Sequence, residues 1–283
     1  MRKIVTYTAY VCLLLVALAT PGLTQQDEKD DTGTNPVNFT YDFRFITEMR
    51  WLPDNSGSIL KHTLEWRAPL GKDIGNLGGG KFYDDLGSSF GIRMRAHYQT
   101  TSINDASDPA CGPFGSCSVS GIANMDARLL WLAHATPKFA VAPGLEAFFN
   151  TASNDFLGNG KTTLAPTIFF AFFGLFGNGS LFAPGYQYIF DVAGDPNRNN
   201  VSRSQIDLYG VWILAGGKYW LTLDPQIIIN HVSNTTFATI DAEWGFMIVP
   251  QSGISGYVRP GVGVGEDRFM DWNLEFALKF IWR

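Results

Sequence analysis

The last residues of the chain constrain its fold most strongly, because apolar side chains occupy every second position there. Two interleaved sets alternate through this segment, the apolar Met270, Trp272, Leu274, Phe276, Leu278, Phe280 and Trp282 and the polar Asp271, Asn273, Glu275 and Lys279. A period of two is that of a strand with one apolar and one polar face. The row is long for a soluble sandwich, and aromatic residues at both of its ends are typical of a strand that faces lipid. The pattern predicts an all-β fold, an antiparallel transmembrane β-barrel of outer-membrane type.

Composition supports this class over a helical membrane protein. Aromatic residues make up 14% of the chain and charged residues 17%, yet the mean hydropathy is only +0.01. Nearly every residue of a spanning helix is apolar, whereas a barrel strand alternates and stays near neutral on average. The net charge of -5 gives no reason to expect nucleic acid as a partner.

Period-two runs between turn signals predict about twelve strands, an even number as is usual for bacterial barrels. Their expected bounds are 38–51, 59–70, 88–100, 119–134, 138–151, 162–175, 180–193, 203–215, 218–233, 236–249, 254–265 and 269–282. Tight turns alternate with longer loops, which is the asymmetry expected of periplasmic and external connections. The long connection 71–87 is the exception, because a short periplasmic turn is expected there.

The front of the chain predicts export. Residues 1–24 have the pattern of a secretory signal peptide, with cleavage after Ala19 or after Thr24. Residues 25–37 are acidic and rich in turn residues, which predicts a mobile periplasmic tail. The barrel would then occupy 38–283 in the bacterial outer membrane. Its expected partners are outer-membrane lipid and the outer-membrane assembly machinery, which receives C-terminal strands that end in aromatics, although Arg283 follows Trp282 here.

Two cysteines remain after the signal. Cys111 and Cys117 lie in a loop rich in proline and glycine, and in an exported chain they predict a disulfide. The ring is short, so it would mainly stiffen the tip of the loop. No metal is expected, because a metal site would need further ligands nearby, and no cofactor is expected either.

The polar faces of the predicted strands carry both signs of charge into the lumen. Either these charges form a ladder that neutralises itself inside a narrow barrel, which is the favoured interpretation, or they set selectivity. Barrel closure would place Glu275 and Lys279 beside Asp42 and Arg44. The candidates are Asp42, Arg44, Glu48, Arg50, Lys61, Glu65, Arg67, Arg93, Arg95, Asp126, Arg128, Glu146, Asp207, Asp241, Glu243, Glu275 and Lys279.

One stretch of the wall, residues 164–176, is apolar on both faces, and its neighbour 180–190 carries further aromatic side chains. Those that face inward would give a hydrophobic solute a path through the barrel. We expect such a path to be lined by Phe169, Phe173, Tyr186, Tyr188 and Phe190. Arg93 and Arg95 would then form a polar constriction.

An enzymatic alternative rests on His231, Ser233 and Asn234. The sequence H-x-S-N resembles the catalytic segment of two outer-membrane lipid hydrolases, the phospholipase A barrel and the lipid A deacylase, in which histidine is the base and serine the nucleophile. Both side chains share the lipid-facing parity. However, Thr235 departs from the pattern, no acidic orienter shares that face, and the segment is also an ordinary hairpin turn. We therefore expect a protein that is not an enzyme.

From Leu129 onward the chain resembles the outer-membrane transporter family labelled for the meta pathway of phenol degradation. The segments that carry the resemblance are 141–155, 158–166, 190–195, 221–225 and the final pair of strands. The resemblance implies a barrel that takes up small, aromatic solutes. The function expected from the sequence is therefore a channel or transporter for small hydrophobic or aromatic compounds, with the lipid hydrolase and a closed structural barrel as alternatives.

Overall fold

The computed structural model describes residues 34, 39–70, 90–104 and 117–282. Apart from short 3-10 turns, the regular structure in these ranges is extended. The strands are β1 (Tyr41–Trp51), β2 (Gly57–Leu70), β3 (Phe90–Ile103), β4 (Cys117–Ile122), β5 (Asp126–Trp131), β6 (His134–Ala135), β7 (Phe139–Phe148), β8 (Lys161–Phe173), β9 (Ser180–Gly194), β10 (Ser202–Leu214), β11 (Tyr219–Asn230), β12 (Thr235–Val249), β13 (Ile254–Val264) and β14 (Trp272–Trp282). Within these ranges, no helix is both long enough and apolar enough to span a bilayer.

The strands form one closed antiparallel barrel. β3 pairs with both β4 and β5, and β7 pairs with β5 and β6, so these three short segments make up a single broken wall strand. The first and last strands close the barrel, in register from Tyr41 opposite Trp282 to Trp51 opposite Trp272. The wall therefore has 12 strands. The fold class predicted from the period of two is confirmed.

Side chains alternate between an apolar exterior and a polar lumen. Large apolar side chains remain exposed on the outside, among them Phe45, Leu64, Trp66, Met94, Tyr98, Trp244 and Phe276, while charged side chains are buried inside, among them Asp42, Arg44, Glu48, Glu65, Asp126, Glu146 and Lys279. This arrangement is the reverse of a soluble domain and matches a barrel surrounded by lipid. The chain is thus a protein of the bacterial outer membrane.

The two rims of the barrel differ in the length of their connections. Tight turns at 136–138, 174–179, 215–218 and 250–253 share a rim with the C-terminal end of β14. The other rim has the short turns 52–56 and 231–234 and also the longer connections 149–160, 195–201 and 265–271. We call these the periplasmic and the external rim, following the usual asymmetry. Tyr41 and Trp282 lie near the periplasmic rim, and Trp51 and Trp272 lie near the external one. The signal 1–24 and the connection 71–87 lie outside the described residues.

Candidate functional site

The lumen holds a cavity with a volume of ≈ 770 Å³. A smaller hollow of ≈ 260 Å³ lies toward the external loops. Phe148, Arg203 and Asn230 border both, so the cavity adjoins the external hollow at these three residues. Its size is within the range of roughly 300–1,000 Å³ that is usual for small-molecule sites.

One side of the lumen, formed by β2 to β7, carries an excess of positive charge. Five cations, Lys61, Arg67, Arg93, Arg95 and Arg128, accompany three acids, Glu65, Asp126 and Glu146. Arg67 Nε lies 2.6 Å from Glu65 Oε1, and Arg95 Nε lies 2.8 Å from Asp126 Oδ1. Arg93 is paired with Glu146. This side, which we call the cationic wall, therefore has two positive charges more than its acids neutralise.

The opposite side, formed by β11 to β14, carries an excess of negative charge. Four acids, Asp224, Asp241, Glu243 and Glu275, accompany two cations, Arg259 and Lys279. Arg259 Nη2 lies 2.6 Å from Asp224 Oδ2 and 3.7 Å from Asp241 Oδ2. Lys279 Nζ lies 3.7 Å from Glu243 Oε1. We call this side the anionic wall.

The strands that separate the two walls are balanced. On β1, Arg44 lies 2.8 Å from Asp42 and Arg50 lies 2.5 Å from Glu48. On the other side, β8 carries the cation Lys161, β9 carries the acid Asp191, and β10 carries one cation, Arg203, and one acid, Asp207. The predicted neutralising ladder is therefore present in part, because most charges are paired, but the pairing leaves opposite surpluses on facing walls.

Several charges at the cavity have no full counterion. Arg203 is exposed and makes no ion pair with another described residue. Asp207 receives a hydrogen bond of 3.0 Å from Gln205 Nε2, an uncharged donor. Arg128 lies 4.0 Å from Glu146 and 5.4 Å from the centroid of the Phe169 ring. Such groups keep their charge available for a solute.

The register of the seam only partly reproduces the expected cluster of charges. Lys279 lies directly opposite Arg44, as the predicted closure required, but Glu275 lies opposite Glu48. Glu275 instead accepts a hydrogen bond of 2.5 Å from Tyr257 Oη on β13. A neutral phenol donor thus takes the place of the expected cation.

The periplasmic end of the lumen is less polar than the cavity. Small inward side chains form a cluster there, packed by Phe173 and Tyr209: Ala140, Ala142, Ala171, Leu181, Ala183 and Val211. Tyr209 Oη donates a hydrogen bond of 3.0 Å to the carbonyl oxygen of Thr34, which is itself buried. Chain that precedes β1 therefore reaches the inner end of the lumen, within the stretch 25–37 that the sequence predicts to be a mobile tail.

Phe39 faces the lumen although alternation with Tyr41 and Phe43 would turn it toward lipid. Its ring lies against Gly91, 2.3 Å from where a Cβ on that glycine would be. Phe39 also borders the lumen cavity. The reason is that β1 begins at Tyr41, so the alternation of the strand does not fix the side chain of Phe39.

The predicted solute path divides between the two faces of the wall. Arg93, Arg95 and Phe169 border the cavity. Phe173 faces inward but packs on the apolar cluster at the periplasmic end.

The predicted path is wrong at three positions, because Tyr186, Tyr188 and Phe190 lie on the lipid-facing exterior. Their neighbours Gly185, Gln187 and Ile189 are buried toward the lumen, and strict alternation then turns the aromatic rings outward. Tyr186 is 44% exposed, and its hydroxyl lies 3.0 Å from Ser204 Oγ. The polar Gln187 between the two tyrosines was the signal for this parity.

The predicted pair of His231 and Ser233 is also corrected. Both residues lie in the turn after β11, where Ser233 Oγ bonds Thr235 Oγ1 at 2.8 Å. His231 Nε2 instead lies 2.9 Å from Ser204 Oγ on β10. Asn234 occupies the turn with a φ of 55°. Ser204 shares the outward parity of Tyr186, and only the pairing of β10 with β11 brings it to His231.

The remaining predicted groups are structural. Cys117 begins β4 and is disulfide-bonded, while Cys111 lies outside the described residues. Among the described ranges, no group of three His, Cys, Asp or Glu side chains could hold a metal ion.

Comparison with known proteins supports the fold. No family model and no curated protein matches the chain. Among solved structures, the COG4313 outer membrane channel from Pseudomonas putida F1 is similar with a TM-score of 0.57 and 9% identity, over 92% of this chain and 100% of that one. The KdgM porin has a TM-score of 0.47 and 9% identity, over 86% of this chain and 99% of that one. Outer membrane phospholipase A from Escherichia coli has a TM-score of 0.43 and 11% identity, over 85% of this chain and 93% of that one.

The first of these similarities shows that the chain shares the fold of an outer-membrane barrel. The resemblance to the phenol meta-pathway family stays a prediction, because no family model matches.

Proposed function

We propose that this protein is an outer-membrane channel that admits small polar solutes into its lumen from the external side. The observation that carries the proposal is the cavity of ≈ 770 Å³ bordered by charged side chains inside a barrel with an apolar exterior. Charged rings in a wet lumen are how many pores attract and select solutes. The similar fold of a protein described as an outer membrane channel supports the same function.

The solute class in this proposal differs from the hydrophobic compounds that the sequence favoured. That expectation depended on aromatic side chains of residues 180–190, and Tyr186, Tyr188 and Phe190 point away from the lumen. The cavity is bordered by guanidinium and carboxylate groups. An apolar solute would displace the water that solvates these groups, and this desolvation costs several kcal/mol. A polar solute can replace that water with its own hydrogen bonds.

Single-channel current through the refolded protein in a planar bilayer tests the proposal. We expect discrete steps whose amplitude rises with salt concentration, because ions must cross a water-filled lumen. Heat-denatured protein at the same concentration is the control for detergent artefacts. Absence of steps from the folded protein, and from a variant with a widened periplasmic end such as Phe39→Ala, would support a closed structural barrel instead.

A second candidate is a lipid hydrolase, favoured by one observation. Ser204 Oγ and His231 Nε2 lie 2.9 Å apart on the lipid-facing exterior near the external rim, and a histidine at this distance can take the proton of a serine nucleophile. The hydroxyl of Tyr186 is a second partner of Ser204.

Phospholipid turnover in mixed micelles tests this candidate. A hydrolase using this pair would lose activity in Ser204→Ala and keep it in Ser233→Ala, whose hydroxyl bonds only within the turn. No turnover above background by the unaltered chain would exclude the candidate.

A further inference from the structure

Charge in the lumen is separated across the barrel and not along it. The cationic wall of β2 to β7 and the anionic wall of β11 to β14 face each other, with β1 between them on one side and β8 to β10 on the other, each set carrying equal numbers of cations and acids. Each wall has a surplus of two charges, of opposite sign. Because the surrounding lipid has a low dielectric constant, the field between the walls is concentrated in the water of the cavity.

Charges without a full counterion lie where this field can act on a solute. Arg128 Nε on the cationic side is buried and has no hydrogen-bond partner among the described residues. Asp207 accepts a hydrogen bond from the amide of Gln205 and forms no ion pair with a described residue. Arg128 and Asp207 both border the lumen cavity.

Arg203 occupies the mouth of this arrangement. It borders both the lumen cavity and the external hollow, and it lies four residues before Asp207 on the same face of β10, about 13 Å along the strand at the usual rise. A solute arriving from outside therefore meets a positive charge first and an acid further in.

Resting on the function proposed above, we propose that the cavity binds and passes small zwitterions, molecules with one carboxylate and one ammonium group. The carboxylate faces Arg128 on the cationic wall, the ammonium group faces Asp207 on β10, the strand next to the anionic wall, and Arg203 receives the carboxylate at the mouth. An anion or a cation of the same size is attracted by one wall and repelled by the other. A zwitterion gains from both walls when it lies across the lumen, and an uncharged molecule gains from neither.

Swelling of liposomes that contain the refolded protein tests this inference, with β-alanine and lactamide as probes. The two compounds are isomers, one zwitterionic and one uncharged, so size does not distinguish them. We expect β-alanine to enter at least about threefold faster than lactamide, because a focused field raises the local concentration of the solute that suits it. Asp207→Asn and Arg203→Gln should each reduce this ratio toward one.

The control variant is Glu266→Gln, in the exposed external connection 265–271, and it should keep the ratio of the unaltered protein. Equal rates for the two isomers in the unaltered protein would overturn zwitterion selectivity while leaving the channel intact. Exclusion of both isomers would instead count against the channel itself. If a variant fails to fold, judged by its heat-modifiable migration on gels, the ratio in the unaltered protein still decides the matter.

Discussion

The ammonium group of Lys279 lies 4.8 Å from the ring centroid of Trp220 and 4.8 Å from that of Tyr257. Trp220 also donates a hydrogen bond of 2.6 Å from Nε1 to Glu243 Oε1, and Lys279 is the nearest cation to that carboxylate in the same cluster. At 1% exposure, Lys279 is one of the most buried side chains of the barrel. Four strands, β11 to β14, are thus joined at the periplasmic part of the lumen by one charge between two rings.

Removing this charge should destabilise the barrel. We expect Lys279→Met to lower the free energy of unfolding by about 3–5 kcal/mol, because Glu243 would stay buried without its counterion. Guanidinium titration in detergent micelles measures the change. The matched control is Lys138→Met in the exposed turn 136–138, which should change stability little. Equal midpoints for the two variants would contradict the role of the cluster.

Gly245 provides the space that Trp220 occupies. A Cβ at this position would lie 1.8 Å from Trp220 Cε2, and Trp220 is fully buried. Gly245→Ala should therefore cost about 1–3 kcal/mol through overpacking, measured by the same titration. Gly210→Ala, where the nearest atom is the outer edge of the Trp212 ring at 3.2 Å, should cost clearly less. The reverse order would show that the Trp220 side chain can move aside.

Phe39 should restrict conductance at the periplasmic end. Its ring fills the space next to Gly91 at the border of the cavity, so Phe39→Ala should enlarge the single-channel step or make steps more frequent. Phe45→Ala, on the exposed lipid face, should leave the steps unchanged. If both variants conduct alike, Phe39 does not limit the pore.

Arg203 should set the ionic preference at the external mouth. Because it has no ion pair among the described residues and borders both hollows, Arg203→Glu should raise the permeability of potassium relative to chloride by about twofold or more. The reversal potential in a salt gradient measures this ratio. Lys218→Glu makes the same change of charge in an exposed turn at the other rim, and its reversal potential should stay that of the unaltered protein.

Much of the fold is predictable from the sequence, because the period of two is a local property. The alternation of β14 predicted that the side chains of Lys279 and Glu275 face the lumen, and the turn residues predicted the number of strands. The break that divides β4, β5 and β6 was missed because one run of alternation was assumed from 119 to 134. The parity in fact reverses there, since Ile122 on β4 lies opposite Tyr98 whereas Leu129 on β5 lies opposite Ile92. The inward position of Phe39 was not predictable either, because alternation does not determine the direction of a side chain that precedes the strand.

The site was predictable only in its composition. Parity showed that Arg93, Arg128 and Asp207 face inward, but the surplus on each wall depends on which strands face each other around the closed barrel. The contact of Ser204 with His231 likewise depends on the register of two neighbouring strands. In the aromatic segment 180–190, Gln187 between the two tyrosines was the signal for the parity of the strand, and there the predicted faces were wrong.

The seam between β1 and β14 has a consequence for how the chain is made. β1 pairs with a strand on each side, with β14 from Tyr41 to Trp51 and with β2 from Asp42 to Trp51. Until the final residues leave the ribosome, the first strand lacks one of its two partners and presents an open edge to other chains. The barrel therefore cannot finish folding during synthesis. A chain truncated before Trp272 would leave β1 and β13 with unpaired edges, which are prone to proteolysis and aggregation.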